Sequence, residues 1–338
     1  MKESKNKGDI YSESTTAVAG TLISNNTDMA AFLLKKGEVI AIPTETVYGL
    51  AGNALNHLVV SKIYEIKNRP LTSPLIIHLP DATQLAKYVT NIPAIAEKLA
   101  ESFWPGALTL LLPKNHLIPD IVTAGLPHVA VRIPKHPVTI KLLRQLDFPL
   151  AAPSANPFGY ISPTTAGHVK TQLFGKIHYI LDGGQCTLGL ESTIVGFDND
   201  TPVIYRTGSI TVEEIKKVTG NVEIKSHTAK NIAPGMMKSH YSPRTPLFLT
   251  NNVETLLKSL GRDGSGILSF KHPQPFIPES HQEILSATGN LSEAARNLYN
   301  ALHRLDSFNL KRIIAQRLPD IGLGITINDR LERAANNI

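Results

Sequence analysis

The sequence has a single cysteine, Cys186, among its 338 residues. A disulfide, a zinc site built on thiolates and a paired redox dithiol are therefore excluded within one chain. We expect Cys186 to be a small residue beside the turn at 182–184 rather than a catalytic nucleophile. The histidines are scattered along the chain, and none has the paired spacing of a zinc site.

Long apolar runs are also missing. The longest ones, such as the segment from Ala107 to Leu112, are far too short to span a bilayer. The segment from Met1 to Ser14 is polar and of mixed charge, and it lacks the apolar centre of a signal peptide. These observations predict a cytoplasmic location.

The charge is not concentrated in runs of one sign. Lys and Arg number 34 against 28 Asp and Glu, which gives a net charge of +6 and a pI near 9.2. A positive balance favours anionic partners such as nucleotides or RNA, but no run of basic residues marks a nucleic-acid arm. The length of 338 residues predicts two domains.

Two common nucleotide-binding signatures are absent. No phosphate-loop motif ending in Gly-Lys-Ser/Thr occurs, and Gly322-Leu323-Gly324 lacks the third glycine of the dinucleotide fingerprint. A nucleotide site would need other cations, and the candidates at the ends of apolar elements are Lys67, Arg69, Arg132 and Arg206. Together they could hold a triphosphate and a carboxylate, whereas any one alone could be a surface salt bridge.

The pattern of short strands and helices predicts an α/β domain with a mixed sheet in the first two thirds of the chain. A polar stretch with Gly and Pro, residues 221–245, then reads as a linker. Strands alternating with helices after it predict a smaller, mostly parallel second domain. We therefore divide the chain into a loose tail (1–20), a first domain (21–220), the linker (221–245) and a second domain (246–338).

Polar segments follow several of the predicted strands. Pro43–Leu50 follows the strand at 39–42 and brings hydroxyls and a carboxylate to one end of the sheet, where α/β proteins bind ligands. Glu45 in this segment could be a metal ligand, a general base or a helix-capping carboxylate. His78 ends another strand and could be a core histidine or a ligand contact.

A second polar turn, Pro153–Asn156, follows the strand at 150–152. Ser154 and Asn156 could present hydroxyl, amide and backbone donors to phosphate oxygens, or could form a turn that satisfies its own backbone. Ser162 and the pair Ser192-Thr193 have the same two interpretations.

Taken together, these motifs resemble the threonylcarbamoyl-AMP synthase family in its long, two-domain form. The order and spacing of the motifs carry the resemblance, which runs from about residue 28 to the end of the chain. The motifs are Pro43–Leu50, Lys67-x-Arg69-Pro70, Trp104-Pro105-Gly106, Val129–Arg132, Ala152–Asn156, Gly189–Thr193, Arg206, Gly208, Ala233–Met236 with His240-Tyr241, and Gly322–Gly324 with Asn328–Arg330.

The resemblance implies a twisted, open mixed sheet with a concave basic face and a smaller Rossmann-like α/β domain at the C-terminus. It implies a nucleotidyltransferase that joins L-threonine, bicarbonate and ATP, with Mg²⁺, into threonylcarbamoyl-AMP and pyrophosphate. The product would serve threonylcarbamoyladenosine modification of tRNA through downstream transfer proteins, and weak RNA binding is possible.

The family's functional residues carry over position by position, and no protein nucleophile or metal ligand is implied. Lys67 and Arg69 would act electrostatically, and His240 and Tyr241 would belong to a lid formed by residues 233–243. The L-threonine contacts would be Thr46, His78, Arg132, Ala152 and Ser192. The ATP contacts would be Arg69, Ser73, His128, Ser154, Ser162 and Arg206. Ser73 stands where the family commonly has Asn, and His128 stands where it has Thr or Ser.

Two other functions are compatible with parts of the pattern. A related carbamoyl-adenylating module occurs in hydrogenase maturation proteins, but those carry cysteine pairs that this chain lacks. A non-catalytic module could bind double-stranded RNA by shape on a basic face. The scarcity of basic runs and the Pro-rich loop edges argue against that second alternative.

Overall fold

The computed structural model describes residues 20–225, 234, 240–275 and 277–335. The predicted tail at 1–19 and much of the predicted linker therefore lie outside the described residues. In the described part the chain forms an eleven-stranded sheet and a four-stranded sheet. We call residues 20–225 the first unit and residues 247–335 the second unit.

The elements of the described residues are numbered in chain order. The strands are β1 Leu22–Ser24, β2 Ile40–Ile42, β3 Gly49–Asn53, β4 Ile76–His78, β5 Leu108–Pro113, β6 His128–Arg132, β7 Leu150–Ala151, β8 Tyr179–Leu181, β9 Thr193–Asp198, β10 Thr201–Arg206, β11 Glu223–Ile224, β12 Leu247–Thr250, β13 Ser265–Ser269, β14 Gln282–Ile284 and β15 Arg312–Gln316. The α-helices are α1 Thr27–Lys35, α2 His57–Lys67, α3 Ala94–Phe103, α4 Asp120–Thr123, α5 Pro137–Leu143, α6 Ala166–Leu173, α7 Val212–Thr219, α8 Val253–Leu260, α9 Leu291–Asp306 and α10 Leu323–Ala335. None of the helices in the described ranges is long and apolar enough to cross a membrane.

The large sheet is mixed, as the sequence predicts, with the strand order β1-β8-β2-β3-β7-β4-β6-β5-β9-β10-β11. Strand β2 shows why its core has two layers: Ala41 packs into one apolar cluster, while its neighbours Ile40 and Ile42 pack into another. Successive side chains of a strand point to opposite faces, so an uninterrupted apolar strand is buried on both sides.

The sheet register brings polar side chains together at its centre. Strand β4 pairs in parallel with β6, which places His78 beside Arg132, and β5 pairs antiparallel with β6, which places Thr109 beside Arg132. Residues two apart on a strand share a face, so Ile76 and Ala130 lie on the same side as these polar groups. This face carries only a small apolar cluster, which leaves room for a site.

The second unit has the strand order β12-β15-β13-β14, with every pairing parallel. This agrees with the predicted small parallel sheet. Its apolar core is continuous with the first unit, because Leu190 and Ile161 belong to the same cluster as Leu298 and Leu302 of α9. The two units therefore share a packed interface.

One local expectation was wrong. Gly49 and Leu50, expected in the polar loop that begins at Pro43, begin strand β3, which pairs with β2 and β7. Gly322-Leu323-Gly324, which lacks the third glycine of the dinucleotide fingerprint, leads into helix α10. The domain boundaries at residues 20, 220 and 245 stay predictions.

Candidate active site

A small buried cavity of about 60 Å³ lies on the open face of the large sheet. Ten of the residues predicted for the site line it, eight from the first unit and two from the segment that joins the units. They are Thr46, His78, Arg132, Ala152 and Ser192 among the predicted L-threonine contacts, Arg69, Ser154 and Arg206 among the predicted ATP contacts, and the predicted lid residues His240 and Tyr241.

The turn after β2 is fixed by its own hydroxyls. Thr44 Oγ1 donates to Val47 O at 2.6 Å and accepts from the backbone N–H groups of Thr46 and Val47 at 3.2 Å. Such side chain–backbone bonds are how Ser and Thr stabilise tight turns. The turn holds Thr46, whose hydroxyl lies 2.8 Å from that of Thr44, at the cavity wall.

Arg132, at the end of β6, joins this turn to the sheet. Its guanidinium donates to Thr46 Oγ1 at 2.8 Å and to Gly106 O at 3.1 Å, and it forms a 2.6 Å ion pair with Glu45. The second Glu45 oxygen accepts from the Lys135 N–H at 3.0 Å. In this structure Glu45 is the buried counterion of Arg132, and the three roles left open for it stay open.

Ser192 is held at the opposite wall by a residue of β10. Arg206 donates to Ser192 O at 2.8 and 3.1 Å and to Ser192 Oγ at 3.0 Å. Its remaining nitrogen donates to Pro234 O at 3.1 Å, so Arg206 joins the Ser192 loop to the segment between the units. The Ser192 hydroxyl also lies 2.7 Å from that of Thr109.

Helix α2 ends at Lys67, and Arg69 lies two residues further on. Between them, Asn68 adopts a left-handed conformation and turns the chain. Arg69 donates to Ser73 O at 3.1 Å and Pro74 O at 2.8 Å. Lys67 donates to Ser154 O and Asn156 O, each at 2.5 Å. Its ammonium thus secures the Ser154 turn from behind, and Lys67 does not line the cavity.

Three of these cations are buried without forming an ion pair in the described ranges. No carboxylate there lies within 4.0 Å of Lys67, Arg69 or Arg206, and Glu191 attracts Arg206 only from farther away. Burial lowers the pKa of Lys67 well below its usual value, lowers that of Arg69 to about 10, and lowers that of Arg206. Because buried positive charge without a counterion is unfavourable, this wall of the cavity favours an anion.

His78 is uncharged at neutral pH. Burial, and then the positive charge of Arg132, lower its pKa to about 3. Its Nδ1 atom is buried without a hydrogen-bond partner, which is unusual for a polar atom inside a protein. The ring can therefore accept a hydrogen bond from a bound molecule without adding charge.

The predicted lid residues are packed against the site. Tyr241 has a positive φ of 65° and lies between the Arg330 guanidinium, 4.9 Å from its ring centre, and the Tyr299 ring at 5.9 Å. His240 contacts the rings of Tyr241 and Phe158. Burial and the nearby cations, Arg69 first, lower the pKa of His240 well below its usual value, so it is neutral. Ala233, Met236 and Met237 lie outside the described residues.

The remaining predicted residues lie off the cavity wall. Ser73 contributes its backbone oxygen to Arg69, and Ser162 donates to Glu191 at 2.7 Å. His128 begins β6, four residues before Arg132 and roughly 13 Å from it along the strand. Sequence reasoning missed Glu191 at the wall, although it quoted the motif that contains it.

Comparisons with known proteins cover both units. A family model described as telomere recombination matches residues 32–208, and one described as threonylcarbamoyl-AMP synthase, C-terminal domain, matches residues 210–336. The threonylcarbamoyl-AMP synthase of Bacillus subtilis (strain 168) is 41% identical over 90% of this chain and 92% of its own length. That of Pyrococcus abyssi (strain GE5 / Orsay) is 39% identical over 91% of this chain and 93% of its own.

Among solved structures, the crystal structure of P. abyssi Sua5 complexed with L-threonine superposes with a TM-score of 0.87 at 36% identity. The match covers 94% of this chain and 98% of that one. The likeness thus extends over both sheets and the residues that line the cavity. The resemblance noted in the sequence is confirmed, and the chain belongs to the threonylcarbamoyl-AMP synthase family of nucleotidyltransferase enzymes.

Proposed function

We propose that the cavity joins L-threonine, bicarbonate and ATP into threonylcarbamoyl-AMP and pyrophosphate, for delivery to proteins that modify tRNA. The related P. abyssi protein was solved in complex with L-threonine. In this chain the Arg132 side of the cavity would bind L-threonine. Thr46, Arg132 and Ser192 supply hydroxyl and guanidinium donors suited to a carboxylate and a hydroxyl. Ala152 and His78 complete that wall.

The observation that carries the proposal is the group of buried cations without carboxylate partners. Arg69 and Arg206 line the cavity, and Lys67 lies directly behind the Ser154 turn. A triphosphate would supply the missing negative charge, with Ser154 as a further donor. Ser162, Ser73 and His128 remain predicted ATP contacts that would need ATP to extend beyond this cavity.

The chemistry demands positioning more than covalent catalysis. The ammonium group of L-threonine must lose a proton to solvent before its amine attacks carbon dioxide, or bicarbonate with loss of water. The resulting carbamate oxygen must then attack the α-phosphorus in line, with pyrophosphate as the leaving group. His78 is neutral, and its Nδ1 atom has no hydrogen-bond partner in the structure. It can therefore accept a hydrogen bond from that amine without placing a second positive charge beside it. Arg69 and Arg206 would stabilise the charge on the phosphates as pyrophosphate leaves.

Magnesium would reach the site on ATP. Within the described residues no group of three His, Cys, Asp or Glu side chains gathers to hold a metal ion. The cavity's carboxylates, Glu45 and Glu191, are engaged by Arg132 and Arg330. The donor set therefore suits a cation held mainly by phosphate oxygens and water, as Mg²⁺ commonly is in such sites.

The segment with His240 and Tyr241 would act as a lid. The cavity beneath it, at about 60 Å³, has room for a few water molecules, so movement of the segment would make room for ATP. Its return would exclude water from the carbamate and the mixed anhydride. Limited proteolysis checks this: cleavage within 233–243 should slow when L-threonine and a non-hydrolysable ATP analogue are added. Equal rates with and without ligands would contradict the lid.

Pyrophosphate release tests the activity itself. We expect release to require L-threonine and bicarbonate together, with L-serine and L-valine as matched amino-acid controls that give much slower turnover. Equal release with L-threonine omitted would refute the proposal. Retention of duplex RNA in a filter-binding assay, by a protein that shows no ATP turnover, would instead favour the RNA-binding alternative.

A further inference from the structure

Glu191 has a fully occupied carboxylate beside the proposed L-threonine site. It lies in the loop Gly189–Thr193, directly before Ser192, and lines the cavity. Ser162 Oγ donates to one carboxylate oxygen at 2.7 Å, and Arg330 Nε donates to the other at 2.9 Å. The Tyr299 hydroxyl lies 2.8 and 3.0 Å from the two oxygens. All four side chains are buried.

Two of these three donors belong to the second unit. Tyr299 lies on α9 and Arg330 on α10, which are 108 and 139 residues beyond Glu191 in the chain. Arg330 also donates to Thr207 O at 2.7 Å and forms an ion pair with Asp329. The second unit therefore contacts two segments of the first unit: the Gly189–Thr193 loop, through Glu191, and the chain directly after β10, at Thr207.

The backbone around Glu191 leaves little room for adjustment. A Cβ on Gly189 would lie 2.5 Å from Arg296 Cα of helix α9, and Gly189 has a positive φ of 75° that favours glycine. A Cβ on Gly208 would lie 2.4 Å from the carbonyl carbon of Ser192. Thr326 of α10 donates to Gly208 O at 3.1 Å. In such close packing, a shift of either helix must move the Ser192 loop.

We infer that Tyr299 and Arg330 are positioning residues of the active site, which hold Glu191 so that Ser192 faces L-threonine. This rests on the proposed function and extends it, because it makes the second unit part of the substrate site rather than an anchor for the lid. Neither residue lines the cavity, so both act through Glu191.

The charge state of Glu191 agrees with this role. Burial would raise the pKa of its carboxyl, but attraction to Arg330, then Arg206, outweighs burial and lowers it. Glu191 is therefore ionised at neutral pH. Without Arg330 it would be a buried anion with only hydroxyl donors, which the loop could relieve only by rearranging.

A pair of tyrosine variants separates positioning from simple docking of the units. Tyr299→Phe removes the hydroxyl on Glu191 but keeps the ring beside Tyr241. Tyr160→Phe is the matched control, because the Tyr160 hydroxyl donates to Asp306 Oδ2 at 2.5 Å across the same interface without touching Glu191. By calorimetry without ATP, we expect Tyr299→Phe to weaken L-threonine binding about tenfold, while Tyr160→Phe leaves it unchanged. Equal weakening in both variants would overturn the inference.

A second experiment tests the ion pair by compensation. Arg330→Met should weaken L-threonine binding more than tenfold, and Glu191→Gln in the same chain should recover at least about half of that loss on a logarithmic scale. Wild type, Arg330→Met, Glu191→Gln alone and the double variant give a double-mutant cycle in thermal unfolding, which needs no substrate. Additive effects in that cycle would overturn the inference. Failure of wild type to bind L-threonine, with coupling intact, would instead count against the proposed function.

Discussion

The Arg132–Glu45 ion pair offers the sharpest test of how the site is held together. Both side chains are buried, and within the described residues the Glu45 carboxylate has one further hydrogen-bond partner, the Lys135 N–H. Arg132→Met keeps most of the volume but leaves the Glu45 carboxylate buried without its cation. Removing one member of a buried pair typically destabilises a protein by about 3–5 kcal/mol.

This magnitude predicts a large change in thermal unfolding. With about 2–4 °C of melting temperature per kcal/mol for a unit of this size, Arg132→Met should lower the Tm by roughly 6–20 °C. Adding Glu45→Gln removes the unpaired charge, and its amide oxygen can still accept from the Lys135 N–H. The double variant should therefore recover most of the lost Tm.

The measurement is thermal unfolding by circular dichroism without ligands. Lys258→Met is the matched control, because its i,i+4 pair with Glu254 is exposed and should contribute nothing measurable. If Arg132→Met lowered the Tm no more than this control, or if Glu45→Gln gave no recovery, the reasoning would be refuted. The double variant also separates folding from binding: it should fold yet show no L-threonine-dependent pyrophosphate release.

Three further outcomes are expected. Arg69→Met should fold, because Arg69 contacts backbone oxygens and no carboxylate, yet pyrophosphate release should fall roughly 30-fold or more; near-normal turnover would remove Arg69 from the site. Inorganic tripolyphosphate at about 100 times its Kd should raise the free energy of unfolding by about 2.7 kcal/mol, whereas chloride at equal ionic strength should not. The folded-state pKa of His78, about 3, lies below its unfolded value near 6.5, so the unfolded chain binds more protons in that window. The free energy of unfolding should therefore fall as the pH drops from 6.5, by about 1.4 kcal/mol per pH unit for this group. Urea unfolding at pH 7, 6 and 5 measures this dependence, which should be weaker in His78→Gln than in wild type. An equal dependence on pH in both proteins would contradict the prediction.

The sequence predicted the site best where strands end in polar residues. His78 and Arg132 close strands whose preceding residues are apolar, so the sequence indicated a polar side chain at the end of each strand. The assignment of L-threonine contacts came from the family resemblance and stays a prediction. The motif Lys67-x-Arg69 was correctly placed at a helix exit, but only the structure shows that the two cations face different groups.

Two kinds of contact were beyond sequence reasoning. Strand β3 and the start of helix α10 were not predicted, because they contain glycines (Gly49, Gly52 and Gly324), and glycine is typical of loops. Gly324 is needed for close packing, since a Cβ there would lie 2.0 Å from Pro319 O, and Gly52 packs against Val59 in the same way. Long-range partners form the second kind: nothing in the local pattern around Glu191 indicates that its cation lies on α10.

The distance in sequence between Glu191 and Arg330 also bears on how the protein is made. The two residues are 139 positions apart, and ribosomes add about 5–20 residues per second, so Glu191 is added to the chain roughly 7–28 s before its cation. During that interval the first unit can assemble its sheet, but the loop at Ser192 still lacks Tyr299 and Arg330. A nascent chain should therefore gain its affinity for substrate only after helix α10 has been synthesised and has packed against the first unit.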